Sequence, residues 1–319
     1  MTLVRCAVII LFPVILSLMN CLSASADKRK SQEDTSTFVI RPFLMYSTLS
    51  LNINDVIFYE PNTMLNIGMA VSWKGFGGSY STAAMPVKDT NRYGETDYSD
   101  VQLYYYFDHF NIDLIYQNYR GFCRLESTGG ECREVRSDME MLNAGINLTY
   151  VFSDNYSFKA SFSQTERQPE SAGSFLLMSA FSFFKIFDNR SLIPVDQEFM
   201  FRNQSGFHAG YYPGVSILGG YSYSHIFREQ WYATISVLLG GGWMHQKIDT
   251  DAGRTSVNSA CSRFNNRLAV GYNGESWYAG VAAVIDLLSN RPLMTLKIHR
   301  TSDILRLSVY GTLFYGVRF

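Results

Sequence analysis

Residues 303–319 read Asp-Ile-Leu-Arg-Leu-Ser-Val-Tyr-Gly-Thr-Leu-Phe-Tyr-Gly-Val-Arg-Phe, and their spacing decides the fold. From Leu305 the odd positions run Leu305, Leu307, Val309, Gly311, Leu313, Tyr315, Val317 and Phe319. The even positions run Arg306, Ser308, Tyr310, Thr312, Phe314, Gly316 and Arg318. Side chains alternate across a strand with period two, so this is a β-strand with an apolar face and a face that carries full charge. On alternation alone Val309→Arg is expected to be costly and Ser308→Arg to be tolerated.

The same period recurs along the chain from Thr37. Leu65 to Trp73, Val101 to Phe107, Phe110 to Tyr116, Leu142 to Phe152 and Tyr156 to Ser163 read as strands. So do Ser174 to Phe187, Val215 to Phe227, Gln230 to Gly240, Phe264 to Tyr272, Trp277 to Leu287 and Met294 to Ile298. Arg228-Glu229 and Asn273-Gly274-Glu275 mark tight turns, the latter because Asn-Gly suits positive φ. Long connections are expected at Thr82 to Tyr98, Tyr119 to Val135, Asp188 to Pro213 and His245 to Ser262. Within the last of these, Asp249-Thr250-Asp251-Ala252-Gly253 reads as a solvated loop, since the later ligands of a calcium loop are missing.

The chain has 319 residues, 47% hydrophobic and only 17% charged, with 15% aromatics and a formal net charge of -1. No basic face is evident for phosphate contacts, which excludes a nucleic-acid partner. After the amino-terminal region no run is long and apolar enough for a membrane helix. A chain of this pattern can span a bilayer only as closed β-structure, because lipid satisfies no backbone hydrogen bond. The predicted fold is all-β, a single closed antiparallel transmembrane β-barrel of about 12 strands, with 10–14 defensible. One parity problem stays open: either Phe38 to Phe58 holds two strands, or a strand hides in Asp188 to Pro213.

Arg5, the apolar run Cys6 to Leu18 and Ala24-Ser25-Ala26 read as a cleaved secretory signal peptide over residues 1–26. Residues 27–36 read as a periplasmic lead and 37–319 as the barrel. An amino-terminal anchor, or lipidation at Cys21, is the alternative there. Cys123 and Cys132 bracket a turn-forming stretch, so an export route permits their disulfide; Cys261 has no evident mate.

The final strand, with its aromatic end Phe319, resembles the closing strand of Gram-negative outer-membrane barrels, and the resemblance implies that Phe319 is an assembly signal. Further stretches point to one family. They are Tyr59-Glu60-Pro61-Asn62, Leu65-Asn66-Ile67-Gly68-Met69, Trp73-Lys74-Gly75, Tyr93-Gly94-Glu95-Thr96-Asp97-Tyr98 and Tyr116-Gln117-Asn118-Tyr119-Arg120-Gly121-Phe122. Ser191-Leu192-Ile193-Pro194, Gly220-Tyr221-Ser222-Tyr223, Leu268 to Asn273 and Tyr278-Ala279-Gly280 complete the set. In that order they are similar to a domain-of-unknown-function family of outer-membrane barrels from Bacteroides-type bacteria. The resemblance implies architecture and an address in the cell outer membrane, and no substrate. Glu60 and Cys123 depart from its usual residues.

The inward-facing charges are the candidate site: Asp113, Lys159, Arg267, Asp286, Lys297, His299, Arg306 and Arg318, with Lys74 near a rim. Such groups either pair across a narrow lumen or line a wet path. The expected role is a narrow channel or a structural envelope protein. A barrel enzyme acting on lipid or lipopolysaccharide, or a loop-based binding or adhesion scaffold, is the alternative. The five histidines form no recognisable pairing with serine, so no catalytic residue is assigned and the chain is expected not to be an enzyme. His208 beside Tyr211 and Tyr212 is the nearest candidate. No metal or cofactor is expected. The expected partners are outer-membrane lipids, lipopolysaccharide and the barrel-assembly machinery; the oligomeric state is left open.

Overall fold

The alternation is realised as thirteen antiparallel strands in a computed structural model, which describes residues 38–318 apart from 63, 74, 108, 127–129, 202–205 and 291–302. The expected signal peptide, periplasmic lead, Cys21, Lys74, Lys297, His299, Phe319 and the strand Met294 to Ile298 fall outside the described residues, wholly or in their decisive part.

The strands are β1 (Phe38–Ile53), β2 (Ile57–Glu60), β3 (Met64–Trp73), β4 (Phe76–Pro86), β5 (Asp97–Tyr106), β6 (Phe110–Leu125) and β7 (Cys132–Val151). They continue as β8 (Ala172–Phe187), β9 (Ala209–Phe227), β10 (Trp231–Thr250), β11 (Gly253–Asn273), β12 (Trp277–Ser289) and β13 (Ile304–Arg318). Each pairs with its successor, except that β2 pairs with β1 and β6 in place of β3; β1 also pairs with β3, and with β13 from Val39↔Arg318 to Ile53↔Ile304. The result is a closed ring of twelve strands with β2 as a thirteenth. Closure leaves no unpaired edge, which is what a hydrocarbon environment demands.

The strand termini Phe38 and Arg318 lie at one end of the barrel, here the near end, with four tight turns and one long connection, 152–171. The other long connections, and the short β10–β11 turn, lie at the far end. β3, β4 and β5 are short, 10, 11 and 10 residues. Beyond them β2 bridges β1 (Leu51↔Tyr59) and β6 (Phe58↔Leu125), so the wall closes over their ends. Phe38 to Phe58 does hold two strands, but β2 stands outside the ring of twelve. The alternation of ends is restored by β4, which neither alternative foresaw, and by the loss of Tyr156 to Ser163 as a strand.

Five expectations change. Tyr119 to Val135 is mostly strand, since β6 runs to Leu125 and β7 starts at Cys132. Tyr156 to Ser163 is not a strand: Phe158–Phe162 forms a helix (α2), following a first short helix, α1 (Thr90–Tyr93). The Ser157 hydroxyl caps α2 by accepting from the Ala160 amide at 3.1 Å. Phe158 and Phe162 are four apart, a spacing that both periods allow in so short a run. β4 was hidden because Gly77-Gly78 and Ala83-Ala84 blur its alternation. His245 to Ser262 is no loop, since β10 and β11 stay paired out to Thr250↔Gly253. Asp188 to Pro213 carries a 3-10 helix, Val195–Met200, before β9 starts at Ala209.

Outward residues along the middle of the strands are apolar: Val101, Leu103, Leu114, Ile146, Phe181 and Ile217 are all exposed. On β10 the exposed Trp231 and Trp243 bound this skin. Twelve positions of tilted strand between them span about 30 Å, the scale of a bilayer core. Gly240 and Gly242 sit where a Cβ would overlap the carbonyl oxygens of Ile217 and Val215, so close strand approach needs glycine there.

Candidate functional site

The interior is filled by the chain's own side chains in three storeys. In the middle storey Asp286 on β12 accepts from Arg263 Nε and Nη2 at 3.0 and 2.8 Å and from Asn265 Nδ2 at 2.8 Å, all through Oδ2. Its Oδ1 accepts from Arg306 of β13. Arg306 also donates to Asn143 Oδ1 on the opposite wall. Asn143 then donates to Gln117 Oε1 at 2.8 Å, and Gln117 donates to Asp100 Oδ2 at 2.7 Å. Tyr98 and Gln102 also donate to Asp100, at 2.8 and 3.1 Å. One continuous chain of polar contacts therefore crosses the lumen from β11–β13 to β5–β7.

A second cross-lumen contact lies nearer the near end. Asp113 of β6 accepts from Tyr106 at 2.7 Å and from Arg267 of β11 at 3.0 Å. The Arg267 guanidinium also lies over the rings of Phe158 and Phe162, at 5.4 and 5.8 Å. Beside this pair is a cavity of about 110 Å³ bordered by Arg41, Gln102, Tyr106, Asp113, Arg267 and Tyr310. That is room for several water molecules.

The near-end storey is the connection 152–171, which folds inward. Ser157 donates to Glu166 at 2.7 Å, and Lys159 pairs with Glu166 at 2.7 Å. Arg41 of β1 donates to Gln164 Oε1 at 2.7 Å, and Gln164 donates to Tyr232 at 3.1 Å. Arg318 donates to the Gln164 carbonyl at 2.6 Å, and Asn273 donates to that of Glu166 at 3.0 Å. Four strands thus hold the loop inside the mouth.

The far-end storey is apolar. Leu49, Ile53, Met141, Phe184, Phe207 and Met244 belong to one buried cluster that also takes in Leu192 and Ile193 of the connection after β8. Tyr59 of β2 donates to the Leu192 carbonyl at 2.8 Å. Arg136 donates to Asp188 at 2.8 Å, to Glu134 at 3.0 Å and to the Ser191 carbonyl. Beyond the apolar skin, burial alone would push the Glu134 carboxyl up, yet Arg136, with Arg190 and Arg124, holds it below the usual carboxylate range. Asp249 is likewise held low by Arg254, at the tip of the β10–β11 hairpin. The β6–β7 hairpin is joined at its tip by a disulfide between Cys123 and Cys132, whose Cα atoms are 5.7 Å apart.

Of the residues singled out by sequence, Asp113, Arg267, Asp286, Arg306 and Arg318 all point inward and are buried. Lys159 is inside as well, but on α2 and not on a barrel strand. Arg263, Asn143, Gln117 and Asp100 were missed, although each falls on the inward phase of its strand. Among the described residues the four histidines are not gathered together. His109 meets Asp154 at 3.0 Å, His225 meets Ser171 at 3.3 Å, His245 meets Asn258 at 2.6 Å and His208 meets the Gly206 carbonyl at 2.9 Å.

Among solved structures, the chain is similar to the outer-membrane protease OmpT from Escherichia coli, with a TM-score of 0.40 and 9% identity over 92% of this chain and 100% of that one. It is also similar to the translocator domain of the autotransporter NalP from Neisseria meningitidis, with a TM-score of 0.39 and 10% identity over 90% of each chain. A third is the toluene transporter TodX from Pseudomonas putida, with a TM-score of 0.29 and 6% identity over 89% and 90%. The expectation that the chain is not an enzyme is corrected here, because a protease stands among these barrels. No curated protein matches the chain in sequence. Residues 29–318 match a domain of unknown function, DUF4421, and the chain belongs to that family.

Proposed function

We propose that the chain is an outer-membrane barrel with a closed interior, a rigid mount that holds its far-end crown at the cell surface. The near end, with both strand termini and four tight turns, then faces the periplasm. The observation that supports this reading is the run of contacts Arg263–Asp286–Arg306–Asn143–Gln117–Asp100 across the lumen. Opposite walls touch through it, and it lies between an apolar core above and the inserted loop below. An open pore would need these charges to be separated by water; here they are paired, as expected of a narrow barrel. The crown that this mount would present includes the disulfide-joined β6–β7 hairpin and the β10–β11 hairpin.

The test is single-channel recording on the purified barrel in planar bilayers at molar salt. The closed reading expects no conductance steps across acid and neutral pH. Regular steps from protein whose mobility shifts on boiling would overturn it in favour of a narrow channel.

A further inference from the structure

The outward face of β5–β8 carries a groove whose walls and upper rim differ in chemistry. Two ladders of outward residues form it. One runs Val101–Tyr116–Ala144–Phe183 and the next Leu103–Leu114–Ile146–Phe181, as the strand registers set out. Ala144 is the small member between two large rings, so the surface dips there. The dip measures about 290 Å³, and its lining is almost wholly apolar. Methylene chains fit such a surface, and polar headgroups do not.

The ladder immediately above, toward the far end, runs Asn118–Leu142–Lys185–Tyr211–Lys247–Ser256. It places two lysines on either side of one tyrosine, all outward. Lys185 Nζ lies 5.8 Å from the Tyr211 ring and 5.7 Å from that of Phe187. Lys247 is exposed, four residues beyond the bounding Trp243, and so at headgroup height. The nearby charges are Arg120 with Asp138 and Glu140, and Arg254 with Asp249, each already engaged. Among the described residues neither lysine has a carboxylate within ion-pairing distance. An unpaired cationic and aromatic rim over an oily groove is the complement of an acyl chain under an anionic headgroup.

We infer that this face is a binding site for a phosphorylated, multiply acylated glycolipid of the outer leaflet, with one acyl chain in the Ala144 groove and a phosphate between Lys185 and Lys247. The site rests on the outer-membrane reading. It goes beyond that reading by making one stretch of the barrel's circumference selective, where the rest of the apolar skin is generic.

The test is native mass spectrometry of the detergent-purified barrel, titrated with diphosphorylated lipid A and, separately, with the same lipid after removal of both phosphates. Wild type should retain the diphosphorylated form preferentially. Lys185→Ala with Lys247→Ala should reduce that retention by about fivefold per lysine, the scale of one basic side chain at an anionic surface. Ala144→Phe should reduce retention of both forms by filling the groove. Equal retention of the two lipids by wild type would overturn phosphate recognition. An unchanged preference in the double lysine variant, in protein whose mobility still shifts on boiling, would overturn this location. Failure of the outer-membrane reading itself looks different: boiled and unboiled wild type would then migrate alike.

Discussion

Asp286 and Arg306 meet at the seam between β12 and β13, and the same arginine reaches Asn143 on the far wall. Asp286 also balances Arg263, so a single buried carboxylate serves two guanidiniums. Breaking such a group by removing one partner leaves uncompensated charge in a medium that cannot solvate it. Asp286→Ala is expected to destabilise the barrel by about 3–5 kcal/mol. Urea unfolding in micelles, followed by the loss of boiling-sensitive mobility, measures this; a change below about 1 kcal/mol would mean that the network is wet.

Neighbouring positions on β13 separate the skin from the filling. Val309 faces outward, and an arginine there should cost about 2–4 kcal/mol at mid-bilayer depth. Ser308 is 2% exposed and stands opposite Asp286 in register. Alternation alone marks Ser308→Arg as harmless, and the filled lumen reverses that expectation. A third guanidinium beside Arg263 and Arg306 has neither room nor a counter-charge, so this change should also cost more than about 2 kcal/mol. Ser308→Ala, which adds no bulk, should fold with near-normal stability, and a tolerated Ser308→Arg would contradict the packing described here.

The Cys123–Cys132 bridge closes a short loop at the tip of a hairpin whose strands are already paired below it. By loop-closure entropy it contributes roughly 2–3 kcal/mol against local opening. Replacing both cysteines with serine should expose the hairpin to proteases while the barrel keeps its folded mobility. Loss of that mobility would show that the bridge supports the whole wall.

Glu134 supplies a pH dependence of the crown with a clear sign. Its folded carboxyl is held below the usual value by Arg136, with Arg190 and Arg124. A group lowered on folding stabilises above its unfolded value, about 4.3 for glutamate, and that contribution is lost as pH falls through the folded value. The connection after β8, tied to this cluster through Arg190, should become protease-sensitive in acid and be unaffected near neutrality. Glu134→Gln should remove the dependence; opening at alkaline pH instead would reverse the sign.

Much of the architecture was legible because period two is a property of the strand itself. Leu305 through Arg318 show their facing without any knowledge of what surrounds them, and Asp113, Arg267, Asp286, Arg306 and Arg318 all occupy the inward phase. Their partners were not legible. That Arg306 meets Asn143, or Arg267 meets Asp113, depends on ring size, tilt and stagger, which couple residues 163 and 154 positions apart. Strand β2 was too short to signal itself, and β4 carries two adjacent glycines. Helix α2 was misread because a capped single turn with aromatics at both ends alternates like a strand. Arg263 and Asp100 were overlooked because both lie at the edges of stretches expected to be loops.

Cys261 offers the most direct test of a filled interior. It is the free cysteine among the described residues, it points inward from β11, and it is 4% exposed within the far-end apolar cluster. The measurement is the labelling rate with a membrane-impermeant maleimide, on barrel beginning at residue 27, folded and then denatured. A closed interior requires the thiol to stay unlabelled until the protein unfolds and then to take one label. Rapid labelling of the folded barrel, at a rate close to that of the denatured chain, would show water reaching the core and contradict it.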